Sequence, residues 1–125
     1  MIEITIPGQP IAWERARRNG NRYFDIQKKK KLDVGWIVRS QYKGKPLEGP
    51  LIMNLWSYLE KPPTTKFEDV PYGKPDCDNL EKFVLDVLTG IIYKDDCQIV
   101  DVNKKKRWAV GIEPQTIIQI EHWHN

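Results

Sequence analysis

Apolar and polar residues alternate at the start of the chain, where Glu3 and Thr5 separate Ile2, Ile4 and Ile6. A period of two sends successive side chains to opposite faces, so Met1 to Pro7 reads as a half-buried strand closed by Gly8 and Pro10. The period is lost over residues 12 to 24, a basic stretch interrupted by Asn and Gly that carries Trp13, Tyr23 and Phe24. It reads as an irregular arm or loop, with Trp13 anchoring it to the core. Gln27 to Tyr42 is predicted to be a helix, its apolar face made by Leu32, Trp36 and Ile37 and its first turns by lysines. Lys43 to Pro50 is a turn-rich connection. In Leu51 to Leu59, Leu51, Met53 and Leu55 fall on one face and Ile52, Trp56 and Tyr58 on the other. That pattern predicts a central strand covered on both sides, or on one side plus a partner subunit. Residues 60 to 75, with four prolines, Phe67 and Tyr72, form a long loop that leads into Asp76 and should overhang whatever Asp76 does.

Leu80, Phe83, Val84, Val87 and Leu88 recur at i, i+3, i+4, i+7 and i+8, the stripe of an amphipathic helix read here as Phe83 to Gly90. Pro71 and Pro75 oppose helix before that point, which puts Asp76 and Asp78 in an extended entry with both side chains on one side. Gln98 to Trp108 and Gln115 to Trp123 are predicted strands, separated by a turn at Gly111 and Pro114. The order strand, helix, strand, helix, strand, strand implies an α+β fold. It is a single small domain over residues 1 to 125, with a mixed or antiparallel sheet and two main helices.

Charge adds a second pattern. The net charge is only +3, but its distribution is uneven. Arg15, Arg17, Arg18, Arg22, Lys28, Lys29, Lys30 and Lys31 form one basic block, within which Asp25 is the only acid. Lys104, Lys105, Lys106 and Arg107 form another. Two such blocks flanking an acidic cluster favour a polyanionic partner over a merely solvated face. In the second block, alternation turns Lys104 and Lys106 one way and Lys105 and Arg107 the other. No apolar run approaches a membrane span, and the start has no signal-peptide pattern. Two cysteines make no disulfide framework, so a reduced, cytoplasmic protein is expected. Cys77 should turn into the core. Zinc on the two thiols is disfavoured, because the only histidines are His122 and His124.

The acidic cluster is Asp76 and Asp78, then Asp95 and Asp96. Mg²⁺ takes a few carboxylates and completes its shell with waters and substrate phosphates, which Asp76, Asp78 and Asp96 could provide. Lys82 follows Asp78 by four residues, on the same helical face, where it could neutralise phosphate charge. Spacing alone leaves a second reading level with the first. Asp78 and Glu81 have the spacing of a capping box, and Asp95-Asp96 that of a turn.

The run Lys74-Pro75-Asp76-Cys77-Asp78-Asn79-Leu80-Glu81-Lys82, then Asp86 to Gly90, then Tyr93 to Val100, resembles the RusA family of Holliday-junction resolvases. Its D-x-D-N-x-x-K and D-D-x-Q-[IV]-[IV] segments are matched at every fixed position. The likeness is densest over residues 74 to 106 and extends loosely to Ile4–Gly8 and Arg15–Arg18. It implies that Asp76, Asp78 and Asp96 are metal-binding catalytic carboxylates, with Mg²⁺ as cofactor and Mn²⁺ as a substitute, and that Lys82 is an essential lysine. It further implies resolution of four-way DNA junctions, in recombination and repair, by paired symmetric nicks. Two nicks related by two-fold symmetry call for a homodimer, to whose interface Trp56 and Val38 could contribute. Asp95 would be a supporting group. The alternatives are a non-catalytic nucleic-acid-binding module, with the aspartates as caps, and a nuclease for other branched DNA.

Overall fold

The computed structural model describes residues 1–64 and 69–125; Phe67 lies outside the described residues. The main sheet has four strands: β1 (Ile2–Pro7), β4 (Leu51–Glu60), β5 (Ile99–Ala109) and β6 (Gln115–His122). Their order is β1-β6-β4-β5. β6 runs antiparallel to both β1 and β4, whereas β4 and β5 are parallel, so the sheet is mixed. A parallel pair needs a crossover, and α2 (Cys77–Leu88) supplies it. With α1 (Lys28–Gln41) it covers one face of the sheet. Ile4, Leu51, Met53, Leu55, Ile118 and Ile120 from the strands meet Val34, Val38, Phe83, Val84, Val87 and Leu88 from the helices. The opposite face, with Ile52, Trp56, Tyr58 and Ile117, is only half-buried.

The expected fold class holds, and three local expectations change. First, α2 begins at Cys77, not Phe83. A proline restrains the residue before it, not those after, so Pro75 leaves Asp76 free to cap a helix that starts at once. Asp76 is extended at the cap, with φ −82° and ψ 159°, but Asp78 lies inside the first turn.

Second, α1 buries Val34, Gly35 and Val38, while Leu32 and Trp36 are exposed. The inward stripe passes through Gly35 because α2 and its sequel come close; a Cβ there would touch Ile91 Cδ1 at 3.7 Å. Val38 is fully buried, so it belongs to the core and not to an interface.

Third, the arm holds a hairpin, β2 (Arg17–Asn19) and β3 (Arg22–Phe24), in a small sheet of its own. Asn19 pairs with Arg22 across a two-residue turn whose first position, Gly20, has φ +65°. Such a turn demands positive φ there, and glycine accepts it without strain.

Candidate metal and DNA site

The N-terminus of α2 carries the first part of the site. Asp76 caps the helix by backbone position alone, with no side-chain capping bond, and its carboxylate is exposed. Asp78 and Glu81 do not form a capping box. Three residues apart on one helical face, they turn together toward β5. There Lys104 Nζ bridges them, 2.6 Å from Asp78 Oδ1 and 2.5 Å from Glu81 Oε2. The hydrogen bond to Lys104 holds the Asp78 carboxyl below the usual carboxylate range, and the two carboxylates raise Lys104 in turn. Two residues along β5, Lys106 Nζ donates to the carbonyls of Gly73 (2.6 Å) and Pro75 (2.8 Å), fixing the approach to Asp76. Lys105 turns to the other face and sits 5.3 Å from the Trp56 ring centre. Arg107 is exposed, and its Nη1 donates to the carbonyl of Lys106. The alternation read from the second basic block is therefore present, but two of its lysines serve the acidic helix start.

Lys82 lies 4.6 Å from the centre of the Trp13 ring and makes no ion pair with Asp78. Trp13 donates its backbone N–H to the Asn79 carbonyl at 2.8 Å and packs against the core, the anchoring role expected of it. The arm is thus joined to the helix that carries the acids. A second fastening was not anticipated. Gln27, 2% exposed, accepts from the Glu14 N–H and donates to the Ala12 carbonyl, both at 2.8 Å. Its only sequence signal was a polar residue at a helix start.

Asp95 and Asp96 lie at the other end of α2. Asp95 caps a short 3₁₀ turn, Asp96–Gln98: its carboxylate accepts from the Cys97 N–H while Gln98 accepts from the Asp95 N–H. The bond from Cys97 lowers Asp95, and Asp95 in turn pushes the Cys97 thiol up. Gln98 Nε2 also donates to the carbonyls of Leu47 and Gly49, which pins the turn to the start of β4. Asp96 is exposed beside a cleft of about 390 Å³ lined by Lys31, Asp86, Thr89, Lys94 and Asp95 as well.

The crossover explains this separation. α2 returns from the end of β4 to the start of β5, so its termini lie at opposite ends of the sheet. Asp78 and Asp86 are eight residues apart, about 12 Å along the axis at 1.5 Å per residue. Among the described residues of one chain, no three His, Cys, Asp or Glu side chains converge as a metal cluster. Asp78 meets Glu81, and Asp96 lies near Asp86 and Asp95. Cys77, expected in the core, is half-buried. The helix start nonetheless suits a divalent ion. Two carboxylates already converge on one cationic nitrogen, and Mg²⁺ is satisfied by one or two carboxylates plus waters and phosphates.

Arg15, Arg17, Arg18, Arg22, Lys28, Lys29 and Lys30 are exposed. Arg18 stacks 5.9 Å from the centre of the Tyr23 ring and bonds to the Gly20 carbonyl. Tyr23 and Phe24 stand out in solvent among these arginines. Lys31 differs: it pairs with Asp25 at 2.7 Å and Asp86 at 3.1 Å, tying α1 to α2. Burial pulls Lys31 down, but the bonds to the two carboxylates outweigh it and the net shift is upward.

The described part of the chain has no helix long and apolar enough to cross a membrane. A protein of Bacillus subtilis (strain 168) described as "Uncharacterized protein YqaN" is 32% identical over 136 aligned positions, which cover 95% of this chain and 94% of that protein. The family model "Endodeoxyribonuclease RusA" matches residues 7–121. The match takes in the basic hairpin, both ends of α2 and both helix-linked strands, so the chain belongs to the RusA family of endodeoxyribonucleases.

Proposed function

We propose that this chain is a Mg²⁺-dependent endonuclease that resolves four-way DNA junctions by paired symmetric nicks, in recombination and repair. The observation that carries the reading is the seat at the start of α2, where Asp78 and Glu81 converge on one cation beside the uncommitted Asp76. Asp76, Asp78 and Asp96 would hold the ion. When bound, it would supply an acidified water and neutralise charge on the leaving oxygen. Lys82 would neutralise charge on the reacting phosphate, its ammonium held over the Trp13 ring until then. The exposed arginines of the hairpin and Lys28 to Lys30 would hold the phosphates of the arms, with Tyr23 and Phe24 offering ring faces to unstacked bases.

The active unit in this reading is a C₂ homodimer. One protomer separates Asp96 from Asp76 and Asp78, so the missing carboxylate comes from the two-fold partner, and two sites arise by symmetry. Complementation tests this. Asp78→Asn and Asp96→Asn homodimers should each bind junctions without cutting them. When they are mixed and allowed to exchange subunits, the heterodimer has one intact composite site. Nicking should return to roughly a quarter of the wild-type number of sites, since about half the dimers are mixed and each has one working site of two. A mixture as inactive as its components would exclude the shared site. Cleavage of flaps or forks at the same rate as four-way junctions would favour a nuclease for other branched DNA.

A further inference from the structure

We propose that Lys104 is a tethered counter-cation that occupies the divalent-ion seat until the ion displaces it, and that Glu81 is a further ligand in that seat. The inference rests on the metal reading above. Lys104 Nζ lies on the same oxygens, Asp78 Oδ1 and Glu81 Oε2, that a divalent ion would use. Mg²⁺ needs to come to about 2.0–2.1 Å of its ligand oxygens. An ammonium hydrogen-bonded to both oxygens leaves no room for that and repels the incoming charge. One cation must leave for the other to enter.

The surroundings fit such an exchange. Asp78 is 86% exposed, so the seat opens outward, where ion and DNA arrive together. Glu81 is 17% exposed, which fixes the inner wall. Lys104 springs from the middle of β5, where it pairs in register with Leu55 of β4, so only its flexible side chain has to move. Its neighbours in the basic block are employed differently: Lys105 lies against Trp56, and Lys106 binds backbone carbonyls. Lys104 is the member of that block whose partners are the proposed ligands themselves. While seated, it keeps two carboxylates convergent that would otherwise repel each other. Once displaced, its ammonium is left at the rim of the site, within reach of a phosphate. Lys104 is thus a positioning residue for the ion.

The test measures Mn²⁺ binding to the DNA-free full chain, by the electron paramagnetic resonance of free Mn²⁺, alongside junction cleavage at saturating Mg²⁺. Removing the competitor in Lys104→Met should tighten Mn²⁺ binding on the order of tenfold. The same variant should cut junctions more slowly, having lost the released ammonium. A merely structural lysine would not move the two readouts in opposite directions. Lys104→Gln provides a second neutral variant should the methionine perturb folding, and Lys104→Arg, which keeps the charge, should bind Mn²⁺ as wild type does. Neutral variants that bind Mn²⁺ no more tightly than wild type overturn the counter-cation role. Asp78→Asn separates the two ideas. Loss of Mn²⁺ binding in that variant supports the metal reading, and wild-type Mn²⁺ binding overturns the metal reading and the inference with it.

Discussion

Replacing Gln27 by alanine removes the clamp that joins the basic arm to the start of α1. Two side-chain bonds vanish, to the Glu14 N–H and the Ala12 carbonyl, each 2.8 Å long around a side chain that is 2% exposed. A neutral hydrogen bond contributes about 1 kcal/mol net, and a buried group left unpaired costs about 1–3 kcal/mol. The arm lies at the surface, so water can reach the two freed backbone groups, and the lower part of that range applies. The expected loss is about 2 kcal/mol, or roughly 6–10 °C in melting temperature for a domain of this size. Gln27→Glu should cost more. Its carboxylate still accepts from Glu14, but it faces the Ala12 carbonyl with no proton to donate and places a charge in a buried site. Urea denaturation gives the free energies, and trypsin reports the arm, because Arg15, Arg17, Arg18 and Arg22 lie within it. Cleavage at these arginines should precede global unfolding in the alanine variant, and junction binding should weaken as the hairpin loses its bearing on α2. A variant that melts with wild type and keeps its arm intact would refute the clamp.

Other expectations follow from the same contacts. Val38→Ala should cost about 2 kcal/mol, because the side chain is fully buried, whereas Trp36→Ala should stay within about 0.5 kcal/mol of wild type in denaturant titrations. Lys31→Ala should cost about 0.5–1 kcal/mol at neutral pH, after allowance for solvent screening of these partly exposed ion pairs. Lys31 holds Asp25 below its usual value of 3.8, so that part of the stability is complete above that value and disappears as pH falls through the lower folded one. Lys31 itself is raised above 10.5, so its part is complete below that value and disappears as pH rises through the higher folded one. The gap between mutant and wild type should close at both extremes, as melting curves across pH would reveal. Neutralising Arg15, Arg17 and Arg18 together should flatten the salt dependence of junction binding by about 0.9 per lost phosphate contact, measured by titration across ionic strength.

What the chain discloses before folding depends on how local the determinant is. The α2 stripe from Leu80 to Leu88 is legible because one helix face decides it. The start of that helix is not, since Pro75 reads as a barrier when it bars only its own predecessor. Leu32 and Trp36 look like core because they are apolar. Lys31 takes the inward line instead because Asp86, 55 residues away, pairs with it. The hairpin was within reach: Gly20-Asn21 between strand-forming flanks is a two-residue turn signal. The acids were recognisable as residues, but their division between two ends of the sheet follows from the parallel pairing of β4 and β5, which no local pattern encodes. Lys104 meets its carboxylates 23 and 26 positions away, a distance over which residue spacing says nothing.

The place of β6 in the sheet sets the order in which this molecule can come into being. It is synthesised after the other three strands of its sheet, yet it lies between β1 and β4. Residues 2–7 pair with 115–120, so the innermost hydrogen bonds close a loop of almost the whole chain. Contacts so remote in sequence are slow to form. On the ribosome, β1 must wait with no strand beside it, and β4 with one edge open, until residue 122 has left the exit tunnel. The earlier segments can form the helices, the β2–β3 hairpin and the parallel β4–β5 pair in the meantime, but not the complete sheet. A break introduced before β6 would therefore yield no smaller nuclease. It would release two unmatched strand edges, the form of exposed surface most prone to aggregate.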